Sequence, residues 1–180
     1  MKAFALATAF ALTTTAAFAA NPEVGGAPMF EDKNIVENAV NSKDHTTLVA
    51  AVQAAGLVET LSGKGPFTVF APTNAAFEAL PAGTVDTLLK PENKDQLVKI
   101  LTCHVVAAEA MSAAIDKMIA DDKGMHPVKT VGGCEFTAMK DGDKIQIKDG
   151  QERVATVTIA DVKQSNGVIH VIDSVLLPAM

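Results

Sequence analysis

The segment FTVFAPTNAAFEAL, residues 67–80, changes character halfway along its length. Residues 67–71 are aromatic and β-branched, which predicts a short strand. Pro72 closes it, because proline brings no N–H to a sheet ladder. Thr73 stands where a helix needs an N-cap, its hydroxyl able to accept a free N–H of the first turn. Asn74 supports the same joint. Ala76, Phe77 and Leu80 line one face of the helical turn that follows, and Pro81-Ala82-Gly83 stops it. Strand-turn-helix joints hold many nucleophiles, but this one lacks the glycines of a nucleophile elbow and has no identifiable partner base.

Helical periodicity dominates on both sides of this joint. Asp32 is placed to cap a helix with the stripe Ile35, Val36, Ala39 and Val40. Asp44 is placed to cap the next, with Leu48, Ala51, Val52 and Ala55 on one face and Gly56 as its stop. SGKGP, 62–66, reads as a turn. Residues 84–89 and 92–101 read as two helices, Pro91 opening the second, and 111–122 as another closed by Gly124. From His126 onward the pattern becomes short β-rich segments between turn signals: VKTV, CEFTAM, IQIK, VATVTIADV and VIHVIDSVLL. Helices mostly first and strands mostly last predict an α+β fold, and no fixed-period repeat suggests a solenoid.

Two of these segments together resemble the signatures of the fasciclin domain. FTVFAPTNAAFEAL (67–80) is similar to the first and NGVIHVIDSVLLP (166–178) to the second. ILTCHVV (100–106) lies between them, where the family carries a helix end and a Tyr-His pair. The resemblance spans roughly residues 31–178 and implies a wedge of two short β-sheets covered by helices. It implies secretion or surface attachment and adhesion or matrix contact without enzymatic activity. It is closest in character to single-domain exported bacterial members. The aromatic before the histidine is replaced here by Cys103. In adhesive members an Asp followed by an aliphatic residue, just before the second signature, contacts integrin. The matching pair is Asp161-Val162, with Val in place of the usual Ile; the resemblance implies partner-binding residues, and the alternative is that Val162 packs inward at a strand end while Asp161 is a solvated turn residue.

Lys2, the apolar run AFALATAFAL (3–12) and Ala17-Phe18-Ala19 predict a signal peptide over 1–19, cut before Ala20. The apolar run is too short to span a bilayer. NPEVGGAP, 21–28, reads as part of a linker over 20–30, ahead of a domain at 31–178. The expected location is therefore the periplasm or the exterior. With 15 basic and 21 acidic residues, a net charge of −6 and one arginine, Arg153, nucleic acid is an unlikely partner on electrostatic grounds. The absence of Tyr and Trp removes the usual sugar-stacking rings. The expected partner is a cell-surface or matrix protein or glycan, met by a monomer that does not insert into membrane.

Cys103 adjoins His104, and Cys134 and His170 complete a set that invites a catalytic reading. In an oxidising compartment two cysteines more often form one disulfide, here Cys103–Cys134. If Val105-Val106 belong to a strand that includes this pair, Cys103 and His104 point to opposite faces and cannot form a dyad. The isolated candidates lack the chelating spacing of a zinc site. KDGDK (140–144) and IADDKG (119–124) lack that of a calcium loop. No cofactor is expected. His104 and His170 read as buried structural residues that need hydrogen-bond partners, and the resemblance implies that His104 anchors a neighbouring loop. The competing reading is an extracytoplasmic thiol- or metal-dependent enzyme using Cys103, Cys134 and His170.

Overall fold

The computed structural model describes residues 21–179, so the signal segment and its cleavage point lie outside the described residues. The expected linker is not one. Strands β1 (Glu23–Val24) and β2 (Ala27–Pro28) make a small hairpin. Val24, 4% exposed, and Met29, 2% exposed, enter the main core from it. Two large apolar side chains in a Gly-Gly turn segment are enough to dock it.

Helix α1 (Ile35–Ala39) starts at Asn34, not Asp32. Asn34 and Glu37 form a reciprocal capping box, each side chain accepting the other's backbone N–H. A short 3-10 turn, Lys43–His45, leads into α2 (Thr46–Ala55). Gly56 ends α2 in the left-handed conformation, φ 73°, as its position in the pattern predicts. Helix α3 (Val58–Ser62), unread in the sequence, follows. Strand β3 (Phe67–Pro72) and α4 (Asn74–Glu78) then form the expected joint.

Helices α5 (Thr84–Leu88) and α6 (Lys94–Cys103) precede the two-residue strand β4 (Val105–Val106), and α7 (Ser112–Asp121) ends the helical half. The remainder is β5 (Met125–Lys129), β6 (Glu135–Asp141), β7 (Lys144–Lys148), β8 (Val154–Gln164) and β9 (Gly167–Ile172).

These strands form one sheet in the order β4-β3-β9-β8-β7-β6-β5. The two expected short sheets are its wings, and β8 belongs to both. The start of β8 pairs with β7 and the rest with β9, with register shifts between Val157 and Val162. Bulges of this kind bend a strand and increase its twist, and they open the sheet into a wedge. The two halves of the opening resemblance meet at its centre. β3 and β9 pair in parallel from Phe67↔Gly167 to Pro72↔Ile172. At the start of that pairing a Cβ on Gly167 would collide with the Phe67 carbonyl, which requires glycine there.

Each wing has its own core. Helices α1, α2, α4 and α6 pack on β3 and β9 through Ile35, Leu48, Phe77, Leu97 and Val171. Helix α7 packs on β6 and β7 through Ile115, Ile119, Phe136 and Ile147. Ile147 and Ile172 are fully buried, and each such side chain contributes about 2 kcal/mol of hydrophobic driving force.

Candidate functional site

The residues singled out from the sequence converge where α6, β3 and β9 meet the C-terminal segment. Cys103 is the last residue of α6 and His104 its C-cap, so the pair sits at a helix end and not in a strand. Both side chains are buried. Cys103 is bonded to Cys134, with Cα atoms 5.4 Å apart. The bridge ties the end of α6 to the residue before β6, joining the two wings. With Cys103 and Cys134 joined, the thiol nucleophile of the competing enzyme reading is committed to a disulfide.

His104 holds the irregular segment that follows β9. Its Nδ1–H donates to the Ile100 carbonyl at 2.8 Å, and its Nε2 accepts the Leu176 N–H at 2.9 Å. Only the neutral ring satisfies both, because a second ring N–H would face the Leu176 N–H. Burial lowers its pKa from 6.5 to about 4, against a smaller upward effect of the Ile100 carbonyl. The loop that follows β4 is anchored by His170 and Thr68. His170 donates from Nε2 to the Ala110 carbonyl at 2.8 Å, and its Nδ1 accepts the Asp161 N–H at 3.3 Å. Thr68 donates to Ala108 and accepts from Ala110. His170 also stacks on Phe70, the ring centroids 5.7 Å apart, and burial again lowers its pKa.

Asp161-Val162 is placed quite differently from an exposed contact. Val162 is 0% exposed and lies in the core. Asp161 occupies the β8 bulge at φ 60° and directs both carboxylate oxygens to Ser112, one to its N–H at 2.6 Å and one to its hydroxyl at 2.5 Å. It thus caps α7, whose own N-cap residue, Met111, has no side-chain acceptor. The alternation of strand β8 buries Val162, so the pair has no apolar side chain to present at the surface.

Thr73 caps α4, its Oγ1 accepting the Ala76 N–H at 3.3 Å. Asn74 reaches back to α2, where its Oδ1 accepts the Thr47 N–H at 3.0 Å and its Nδ2 donates to the Lys43 carbonyl. It replaces Asp44, expected as that cap. Asn166 does the same for α1, accepting from Ile35 and donating to the Leu61 and Gly63 carbonyls.

Three residues with structural roles carried no signal in the sequence. Asn38 and Gln164 hydrogen-bond to each other across the buried α1–β8 junction. Asp149, with a side chain 1% exposed, accepts from Leu177, Gln151 and Arg153. Burial alone would raise its pKa, but these donors together hold it below the usual carboxylate value. Isolated polar residues like these follow no spacing rule.

Among the described residues no three His, Cys, Asp or Glu side chains group as metal ligands, and no helix is long and apolar enough to cross a membrane. Comparison with known proteins agrees with the architecture. A solved structure of the insect cell adhesion molecule fasciclin I, a pair of such domains, superposes with a TM-score of 0.71 at 17% identity, covering 81% of this chain and 51% of that one. Protein sll1483 of Synechocystis is 53% identical over 148 residues, covering 81% of this chain and 74% of its own. The cell surface glycolipoprotein MPB83 of Mycobacterium bovis is 39% identical over 122 residues, covering 68% and 48%. The Fasciclin domain profile matches residues 43–178, and the chain belongs to the fasciclin domain family.

Proposed function

We propose that this chain is an exported, non-enzymatic adhesion domain that acts as a monomer. Its partner is a protein or glycan of a cell surface, envelope or matrix. The observation that carries this reading is that the cysteines and the two histidines beside them in the fold, the groups an enzyme here would use, hold the structure instead. Cys103 and Cys134 share a bond, and both ring nitrogens of His104 and His170 pair with backbone groups. Similarity to an insect cell adhesion molecule and to a cell surface glycolipoprotein supports the same assignment.

The test is photo-cross-linking of the mature chain to intact cells and to matrix preparations, with unlabelled chain as competitor. A saturable, competed cross-link is the expected result. Its absence on every surface would sink the adhesion assignment. The thiol-enzyme alternative is tested separately, by mass spectrometry of denatured, non-reduced protein. A mass about 2 Da below the dithiol form, with no alkylation, is expected from the disulfide.

A further inference from the structure

The helical layer does not close fully on the β4-β3-β9 wing. Between them lies a cavity of about 60 Å³, room for about two waters at their liquid volume. Its wall is built from branched aliphatic side chains, including Ile35, Leu48, Val52, Val69, Leu101 and Ile169. Among the described residues no Asp, Glu, Lys or Arg lines it. At one side, where α1, α2 and α3 meet, the lining residues Val36, Val49, Gln53 and Val58 retain solvent exposure. Val40, which directly follows α1, is 52% exposed.

One polar atom of the wall has no account in the fold. His45 is 3% exposed and lines the cavity. Its Nδ1 pairs with the Ser42 hydroxyl at 2.8 Å. Its Nε2 is buried with no hydrogen-bond partner among the described residues. The Ala71 carbonyl acts on this ring as a backbone acceptor and raises its pKa against the larger effect of burial, without closing a hydrogen bond of ordinary geometry. Buried ring nitrogens are rarely left in this state. A buried water settles where two to four polar partners converge; besides His45 the polar side chains of the wall are Ser42 and His104, both already paired, and Gln53 on the exposed side.

We propose that this cavity binds a small neutral aliphatic alcohol, its chain among the aliphatic side chains and its hydroxyl paired with His45 Nε2. The wall selects the class. A charged group would be desolvated there without a counter-charge. A hydroxyl can donate or accept, so it suits His45 whichever ring nitrogen carries the proton. The size limits the buried part to about two or three non-hydrogen atoms, the rest of a longer chain reaching the exposed side between α1, α2 and α3. This site is independent of the adhesive contact, which belongs to the outer surface.

The experiment is an amide-resolved NMR titration of the mature protein with 1-pentanol, and separately with xenon. Saturable shifts are expected at Ile35, Leu48, Val69 and Ile169 with both probes. In His45→Leu, pentanol affinity should fall about tenfold, the loss of one hydrogen bond, while xenon affinity holds. Val49→Phe, which crowds the exposed side, should abolish both. Should His45→Leu fail to fold, the Nε2 shift of His45 in the unaltered protein must move on pentanol addition. Linear, unsaturable shifts would overturn the proposal. So would xenon binding without pentanol binding, equal pentanol affinity in His45→Leu, or a single trapped water that pentanol does not displace.

Discussion

His104 and Asp149 hold successive backbone amides of the C-terminal segment. The ring of His104 accepts the Leu176 N–H at 2.9 Å, and the carboxylate of Asp149 accepts the Leu177 N–H at 3.0 Å. Arg153, paired with Asp149, adds a hydrogen bond to the Val175 carbonyl at 2.9 Å. Three side chains thus clamp the residues that seat Val175 and Leu176 in the two cores.

The clamp makes stability fall in acid. His104 titrates at about 4 in the fold and near 6.5 unfolded, so between those values the unfolded chain binds the extra proton. Stability is therefore full above about pH 6.5 and declines as pH drops towards 4, by about 3 kcal/mol from this residue. His45 and His170 shift in the same direction. Urea denaturation at a series of pH values should give this slope, and His104→Gln should flatten it. A pH-independent free energy from 7 to 4 would contradict the neutral buried ring.

Asp149→Asn should cost about 2 kcal/mol at neutral pH, because it leaves the Arg153 pair and several amide donors poorly matched. The lowered pKa of Asp149 means that its contribution is present above the ordinary carboxylate range and is lost as pH falls through the folded value. The variant and the unaltered protein should therefore converge in stability in strong acid. Hydrogen exchange at Leu177 should report the loss locally.

Asn74→Ala should destabilise by about 1–2 kcal/mol, the usual size of a lost cap. Its signature distinguishes it from a defect in α4, where Asn74 itself resides. Faster exchange is expected at Thr47, at the start of α2, with the Ala76 amide still protected by Thr73.

Asp161→Ala should also cost about 1–2 kcal/mol by uncapping α7, and more than Asp161→Gly where the positive φ is concerned. Capture of partners on intact cells should be the same for the unaltered chain and both variants, provided that each is folded. Loss of capture in a fully folded variant would restore Asp161 as a contact.

Replacing Cys103 and Cys134 together by serine should lower stability by about 3–4 kcal/mol, for a loop closed across a separation of 31 residues. Denaturation of the variant beside the oxidised protein measures this directly. An unchanged midpoint would mean that the bridge adds nothing beyond the packing of α6 and β6.

The local elements were legible because their causes are local. In residues 67–80 the strand, the proline and the Thr73 cap lie within a few positions of one another, and hydrophobic spacing does the rest. The disulfide was legible from compartment and count. The caps of α1, α2 and α7 were misread or missed because nearby acidic residues, Asp32 and Asp44, looked sufficient. The role of Asp161-Val162 was not legible because a family position does not say which face of a bulged strand is buried.

The sequence by itself determined the α+β class, the β3–α4 joint and the family, since each rests on patterns within a short span. Only the tertiary structure decided the parallel β3–β9 pairing, the clamp on the C-terminal segment, and caps supplied across separations of 27, 49 and 131 residues. The physical reason is that a buried N–H must be paired but does not specify its partner. A side chain from any element that folding brings within reach satisfies it.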